Sequence, residues 1–352
     1  MMIASVTHIR ALSSVTRTRM SPYRGTVLVK EGQKVAATDV IVDYPAKDRK
    51  HILLDIRKTL GLQDGLEFQY VFNRKLGEKL EKGDVIASTG KIFQKVVTAP
   101  ETGRIAAISS GRVLFEIESS SGQVLAGISG VVSKVIDDFG AMIEANGALI
   151  QGVWGNGRVG EGLLFSFNNS EEEEIQTSHL DISMRGAVLF AGHCADMEVL
   201  VKADEFRLRG LILGSMNAEL IRTAEAIEVP VILLEGFGKI PINTAAYKIL
   251  STNDKRDISI NAIKWDRYMG ERPEVFIQLP AVGDQFSENL QFEKGQIVKL
   301  QGFGLSGKIG ELITIQLDPV PLLNGLRVPA GDVRLEDGKT IKVPLANLEI
   351  MG

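Results

Sequence analysis

Hydrophobic positions along this chain change their spacing twice, and the changes divide it. From Gly186 onward, apolar runs at 187–191, 210–213 and 230–234 alternate with stretches of helical periodicity at 195–207, 217–227 and 242–250. Runs this short and uniformly apolar predict parallel strands buried on both faces, and the β-α-β-α-β-α order predicts a small open α/β domain with a last strand at 274–279. Beyond Phe292 the spacing shifts to short segments at 295–300, 307–312, 332–335 and 343–349, with Asp337-Gly338 as a hairpin turn between two alternating strands. Before residue 166, strands and turn glycines dominate. One helix is predicted there, over 50–62, with Ile52, Leu53, Ile56 and Leu60 on one face and Gly61 as its C-cap.

The front section repeats itself. Glu31-Gly-Gln-Lys-Val-Ala-Ala-Thr-Asp-Val-Ile-Val42 recurs as Leu76-Gly-Glu-Lys-Leu-Glu-Lys-Gly-Asp-Val-Ile-Ala87, so that Gly32 matches Gly77 and Asp39-Val-Ile matches Asp84-Val-Ile. A second pair follows, Ala99-Pro-Glu-Thr-Gly-Arg-Ile105 and Ala126-Gly-Ile-Ser-Gly-Val-Val132. Each half-motif joins a strand end through a turn glycine to a β-branched strand, and four of them predict interlocked hairpins.

These turns resemble the barrel-sandwich hybrid fold of lipoyl and biotinyl carrier domains, over the stretch from Tyr23 to Trp154. They also resemble the hybrid domains in the C subunit of the Rnf electron-transport complex and the A subunit of sodium-pumping quinone reductase, without the cysteine motifs and flavin region of the former. A carrier of that family needs a lysine at a hairpin tip, inside Asp-Lys-Ala or Met-Lys-Met. Neither tripeptide is present, and Lys47 and Lys91 are the only lysines in comparable turns. The resemblance therefore implies a scaffold without covalent lipoyl or biotin, and no cofactor is predicted. The glycine turns of the tail resemble the KOW, SH3-like barrel of a transcription elongation factor and of several ribosomal proteins. The segment Arg209-Gly-Leu-Ile-Leu-Gly-Ser215 is loosely similar to the swivelling domain of phosphoenolpyruvate-utilising enzymes, but Gly214-Ser-Met-Asn217 lacks that family's phosphorylated histidine, so phosphotransfer does not carry over.

The expected fold class is thus multidomain α+β. A basic tail at 1–22 precedes a barrel-sandwich hybrid-like β domain at 23–166, an acidic linker at 167–180, a small α/β domain at 181–281 and an SH3-like β barrel at 282–352. A chain of 352 residues is long enough for two or three cores. Composition adds exclusions. The formal net charge of -4 gives no whole-chain pull toward nucleic acid, and a single cysteine, Cys194, permits no internal disulfide and no thiol cluster for a metal. No apolar run is long enough to span a bilayer, and a cytoplasmic protein is expected. The first residues carry Arg10, Arg17, Arg19 and Arg24 without an acid, which reads as a frayed tail or a transit peptide.

Two surfaces carry candidate chemistry. The strand ending at Gly214-Ser215 ahead of Asn217, and Glu235-Gly236-Phe-Gly238 after the next strand, fall at the carboxyl edge of one sheet, where free backbone N–H groups suit an anion. The competing reading makes these glycines turn residues and Ser215 or Asn217 a cap. His193 and Cys194 share that edge, with Asp196 as a helix cap. In the tail, Lys299, Phe303, Lys308 and Arg334 offer an RNA contact through residues 285–352, but from Phe292 onward seven basic residues are matched by seven acids, which favours a protein partner. No complete catalytic constellation is present. The expected role is a non-catalytic binding or scaffold protein that docks a protein or ligand through its α/β and SH3-like modules, with homo-oligomerisation open. The alternatives are a subunit of a redox or carrier-type complex, or a transcription- or translation-associated nucleic-acid-binding factor.

Overall fold

The computed structural model describes residues 4–45, 51–62, 68, 70–89, 95–117, 122–167, 170–266, 271–286, 291–302, 307–322 and 324–352. Lys47, Lys91 and Phe303 lie outside the described residues. The chain is β-rich, with several sheets and few helices. It separates into two compact units: one of residues 1–20, 28–41 and 125–352, the other of residues 21–27 and 42–124. The expected single β domain at 23–166 is therefore divided between them.

The repeat explains the division, because each copy closes with its own partner half-motif. In the larger unit, Gly32 N–H donates to Val132 O (2.8 Å) and Ala126 N–H to Asp39 O (2.9 Å). In the smaller unit, Gly77 N–H donates to Ile105 O (2.8 Å) and Ala99 N–H to Asp84 O (2.8 Å). The strands follow suit, since Lys34–Val35 pairs with Gly130–Ile136 as Lys79–Leu80 pairs with Gly103–Ser109. Asp39 and Asp84 brace their turns in the same way, accepting from Ala36 N–H (2.8 Å) and Glu81 N–H (2.9 Å). Duplicated sequence thus gives duplicated hydrogen bonding.

Gly32 and Gly77 have φ of 79° and 80°, and a Cβ built on either meets nothing within 4 Å. The only penalty for alanine there is the left-handed backbone, so Gly77→Ala is expected to lower stability by about 1 kcal/mol while the chain still folds. Gly103→Ala should lower it further, because its Cβ would lie 2.3 Å from Glu116 O. Urea midpoints of the two variants check the order.

The smaller unit packs Ile56, Leu60, Leu80, Ile86, Ile105, Val113 and Phe115 into one core. The helix expected over 50–62 is confined to Ile56–Leu60, with Asp55 as N-cap and Gly61 as a left-handed C-cap (φ 75°). His51–Asp55 is a strand instead, paired with Arg112–Ile117, and that cross-strand register overrides the helical spacing of its leucines.

The larger unit is organised by a broad mixed sheet. Arg158–Ser166, Ala187–Cys194, Gly210–Met216 and Val231–Phe237 run parallel, and Asp257–Ala262, Glu274–Gln278 and Gly140–Gln151 continue the sheet antiparallel. Alternate side chains of the parallel strands enter opposite cores, as burial on both faces requires. Leu189, Leu211, Leu213 and Leu233 meet Val199, Leu200, Ala203 and Ala224 on one side, while Val188, Phe190, Ile212 and Ile232 meet Ala246, Ile249 and Leu250 on the other. The helices Met197–Glu205, Ile221–Ala226 and Thr244–Thr252 supply these partners. The α/β segment does not close on itself at 181–281, because its sheet runs directly into strands from the front of the chain.

Two further boundaries are corrected. The supposed tail at 1–22 contains the strands Ser5–Thr7 and Ile9–Met20, and the second pairs with Gly140–Gln151 from Ile9↔Ile150 to Met20↔Gly140. Arg17 and Arg19 read as part of a free basic run because their counter-charge, Glu274, lies far away in sequence. The supposed linker at 167–180 is pinned to the end of Ala187–Cys194, since His193 N–H donates to Glu173 O (2.9 Å), Ile175 N–H donates to His193 O (2.9 Å), and Ile175 and Leu180 enter the core.

The tail forms a six-stranded sheet in the order Ser5–Thr7, Leu348–Met351, Ile297–Leu300, Ile309–Pro321, Arg327–Leu335, Thr340–Pro344, in which the first pair is parallel. Val298, Leu300, Leu312, Val333, Val343 and Ile350 form its core with Ala4 and Val6. Asp337-Gly338 makes the expected turn, with Gly338 at φ 81°. No helix among the described residues is long and apolar enough to cross a membrane.

Candidate functional site

The carboxyl ends of Ala187–Cys194, Gly210–Met216 and Val231–Phe237 lie side by side, with His193↔Ser215 and Ser215↔Gly236 in register. Gly214 and Ser215 are therefore strand residues, not a loop, and neighbouring strands occupy the backbone that an anion would have used. Gly214 is small because a Cβ there would lie 2.4 Å from Ile242. No α-helix follows immediately, since a single 3-10 turn, Ala218–Leu220, comes first and Asn217 gives it no side-chain cap. The anion cradle expected from sequence is not formed.

A polar cluster stands in its place. Ser215 is fully buried; its hydroxyl donates to Ile240 O (3.0 Å) and accepts from Ile240 N–H (3.2 Å), and it lies 2.9 Å from His193 Nδ1. A hydroxyl has one proton and two lone pairs, so a proton already given to Ile240 O requires Nδ1 to be the protonated ring nitrogen. Burial first of all, with Lys239 adding to it, holds the imidazole below its ordinary pKa against the opposing pull of Glu174 and the Asn217 side chain. His193 is thus neutral at neutral pH, and it points the wrong proton at the serine to act as its base. The pair locks the strand ends to the 239–241 turn.

Cys194 is equally committed. It is fully buried, its Sγ lies 3.6 Å from Asp196 O, and burial pushes the thiol up to about 12, far from thiolate reactivity. Asp196 caps the next helix through Glu198 N–H (2.9 Å). Beside the cluster, Glu171, Glu172, His193, Lys239, Ile240 and Pro241 line a recess of about 230 Å³. Among the described residues, no group of His, Cys, Asp and Glu side chains is placed to hold a metal ion. No family model matches this chain, and no curated protein matches it either.

The remaining candidates meet one another unexpectedly. Glu235 and Lys299, assigned from sequence to different surfaces, form one ion pair with side chains 3% exposed on each side. Glu235 Oε1 also accepts from Asn243 N–H (3.0 Å). Lys299 is therefore withdrawn from any nucleic-acid surface, and Glu235 from any ligand. Gly236, at φ 126°, still lies in the strand Val231–Phe237, and Gly238, at φ 93°, follows its end, where its N–H donates to Met216 O (2.9 Å). Arg334 is exposed but paired with Glu311 (2.5 Å), which leaves Lys308 as the exposed cation of the expected RNA set.

Sequence inspection missed a second buried pair of this kind, Arg272 with Glu349 at 2.6 Å. The signal was a charge inside an otherwise buried strand, as in Val298-Lys299-Leu300 and Leu348-Glu349-Ile350. Ser215→Ala is expected to lower stability by roughly 2–4 kcal/mol, because it strands both the His193 N–H and the Ile240 N–H in a buried site. Denaturant unfolding of the variant checks this.

Proposed function

We propose that this chain is a non-catalytic binding or scaffold protein of the cytoplasm, which docks a protein partner through the hairpin arm formed by Ile309–Pro321 and Arg327–Leu335. The arm is the observation that carries the reading. None of its described residues from 313 to 329 is buried, and Leu317 and Leu326 stand 65% and 58% exposed. A bulge between Gln316 and Val320 throws Leu317 outward, and the tip is closed by Leu322 N–H donating to Leu326 O (2.8 Å). Apolar side chains held on an ordered ribbon suit a protein surface. Pro319, Pro321 and Pro329 remove backbone donors along the arm, so docking proceeds through side chains and not through strand addition. The finer architecture belongs to the same reading: an SH3-like barrel in the tail, and barrel-sandwich hybrid turns in the duplicated segments.

Affinity capture with the full-length protein, with the partner identified by mass spectrometry, tests this. Leu317→Asp with Leu326→Asp is expected to lose a partner that the wild type retains. Recovery of the same partner by the double variant would overturn the reading. A subunit of a carrier-type complex is the second reading, supported by the interlocked duplicate turns. An intact mass equal to that of the unmodified chain counts against a covalent arm.

A further inference from the structure

We propose that a cavity beside the strands Ile9–Met20 and Glu274–Gln278 binds a small oxyanion of the phosphate class, as free phosphate or as a phosphomonoester. The inference is independent of the docking role, because it concerns a different surface and a small ligand. The cavity, about 360 Å³, is lined by Thr16, Arg17, Thr18, Arg19, Met20, Gln151, Ile263, Glu271, Arg272 and Glu274. Three arginines thus converge from the N-terminal strand and from the segment leading into Glu274–Gln278.

In direct contact, the three guanidiniums have only two carboxylates between them among the described residues. Arg17 holds Glu274 with a two-pronged contact, Nε to both carboxylate oxygens at 3.0 Å and Nη2 to Oε2 at 2.8 Å. Arg272 Nη1 takes Glu349 at 2.6 Å and also donates to Val6 O. Arg19 must share the carboxylate already used by Arg17, through a longer contact of 3.3 Å, while its Nε donates to Ala126 O (2.8 Å). The side chains of Arg17, Arg19 and Arg272 are only 11%, 10% and 4% exposed. The acid left over among the lining residues is Glu271, exposed at the rim. A buried guanidinium without its own anion is costly, and a mobile anion removes that cost.

A second observation points the same way. Arg272 Nη2 is buried with no hydrogen-bond partner, while the guanidinium carbon lies over the Trp265 ring, 4.2 Å from its centroid. Nη1 is taken by Glu349 and Val6 O and Nε by Gly152 O (3.4 Å), so the N–H groups of Nη2 are the Arg272 donors left for an oxyanion. The Gln151 amide, whose oxygen already accepts from His8 N–H (3.1 Å), adds a neutral N–H donor to the lining.

The experiment leaves the buried arginines alone and changes the rim. Isothermal titration of the full-length protein with inorganic phosphate, in chloride buffer of matched ionic strength, is expected to show saturable binding. Glu271→Gln, which removes the exposed acid at the rim, should tighten it by roughly three- to tenfold for one unit charge at a partly exposed site. Glycerol phosphate distinguishes the sources, binding more tightly than phosphate if the ligand is an ester and more weakly if it is the free ion. Absence of saturable heat in the wild type, equal affinities in the variant and the wild type, or acetate binding more tightly than phosphate would each overturn the proposal. Circular dichroism of the variant confirms that it folds.

Discussion

Replacing Lys299 by methionine alone is expected to destabilise the protein by about 3–5 kcal/mol, the usual consequence of leaving one member of a buried ion pair without the other. The carboxylate of Glu235 would then keep only the Asn243 N–H as a partner, in a place that is 3% exposed. Adding Glu235→Gln should recover a large part of the loss. The glutamine oxygen still accepts from Asn243 N–H, and no charge remains to be buried. Urea unfolding of the two variants and the wild type forms a cycle that separates the stranded-charge penalty from the pair itself. An unchanged midpoint in the single variant would show that the tail sheet does not seat against Glu235 as described.

The second large effect is acid lability. His8 is 2% exposed and neither ring nitrogen has a hydrogen-bond partner. Burial first, then the positive charges of Arg10, Arg17 and Arg272, lower its pKa from 6.5 to about 4. The unfolded chain therefore binds a proton between those values that the folded chain refuses, and stability falls as pH drops through that window, by up to about 3 kcal/mol. The folded-state pKa values of Glu274 and Glu349 are depressed, so their contribution is intact above the ordinary glutamate value of 4.5 and is lost only at lower pH. The interval from pH 6.5 to 4.5 thus isolates the histidine term. His8→Phe, whose ring would still meet Phe286 where the present ring centroids are 4.2 Å apart, should flatten the urea midpoint across that interval. Any slope that remains belongs with His193, which is shifted in the same direction. An equal slope in the variant and the wild type would rule out His8 as the source.

Much of the local structure was readable from spacing alone, because it depends on neighbours in sequence. The three apolar runs between 187 and 234 became parallel strands, since nothing but burial on both faces suits such runs. The turn glycines at 32, 61, 77 and 338 adopt left-handed backbone for the reason that glycine was present. What was not legible depends on distant partners. Thr16-Arg-Thr-Arg19 alternates as a strand does, but only Glu274 makes its arginines structural. The Gly214-Ser215 step resembled an anion loop because nothing nearby reveals that Ser215 faces His193 and Ile240. Lys299 looked available for RNA for the same reason: its partner is Glu235, on a different sheet.

The parallel pairing of Ser5–Thr7 with Leu348–Met351 also sets a timetable for synthesis. Ser5 and Glu349, joined by a 3.3 Å hydrogen bond, are 344 positions apart. At ribosomal rates of about 5–20 residues per second, the first strand waits roughly 20–70 s for its neighbour to emerge. The strand Ile9–Met20 finds Gly140–Gln151 much sooner, and residues 42–124 are complete before either. Translation speed and chaperone access over that interval therefore bear on the yield of folded protein, through an exposed edge that the finished molecule no longer shows.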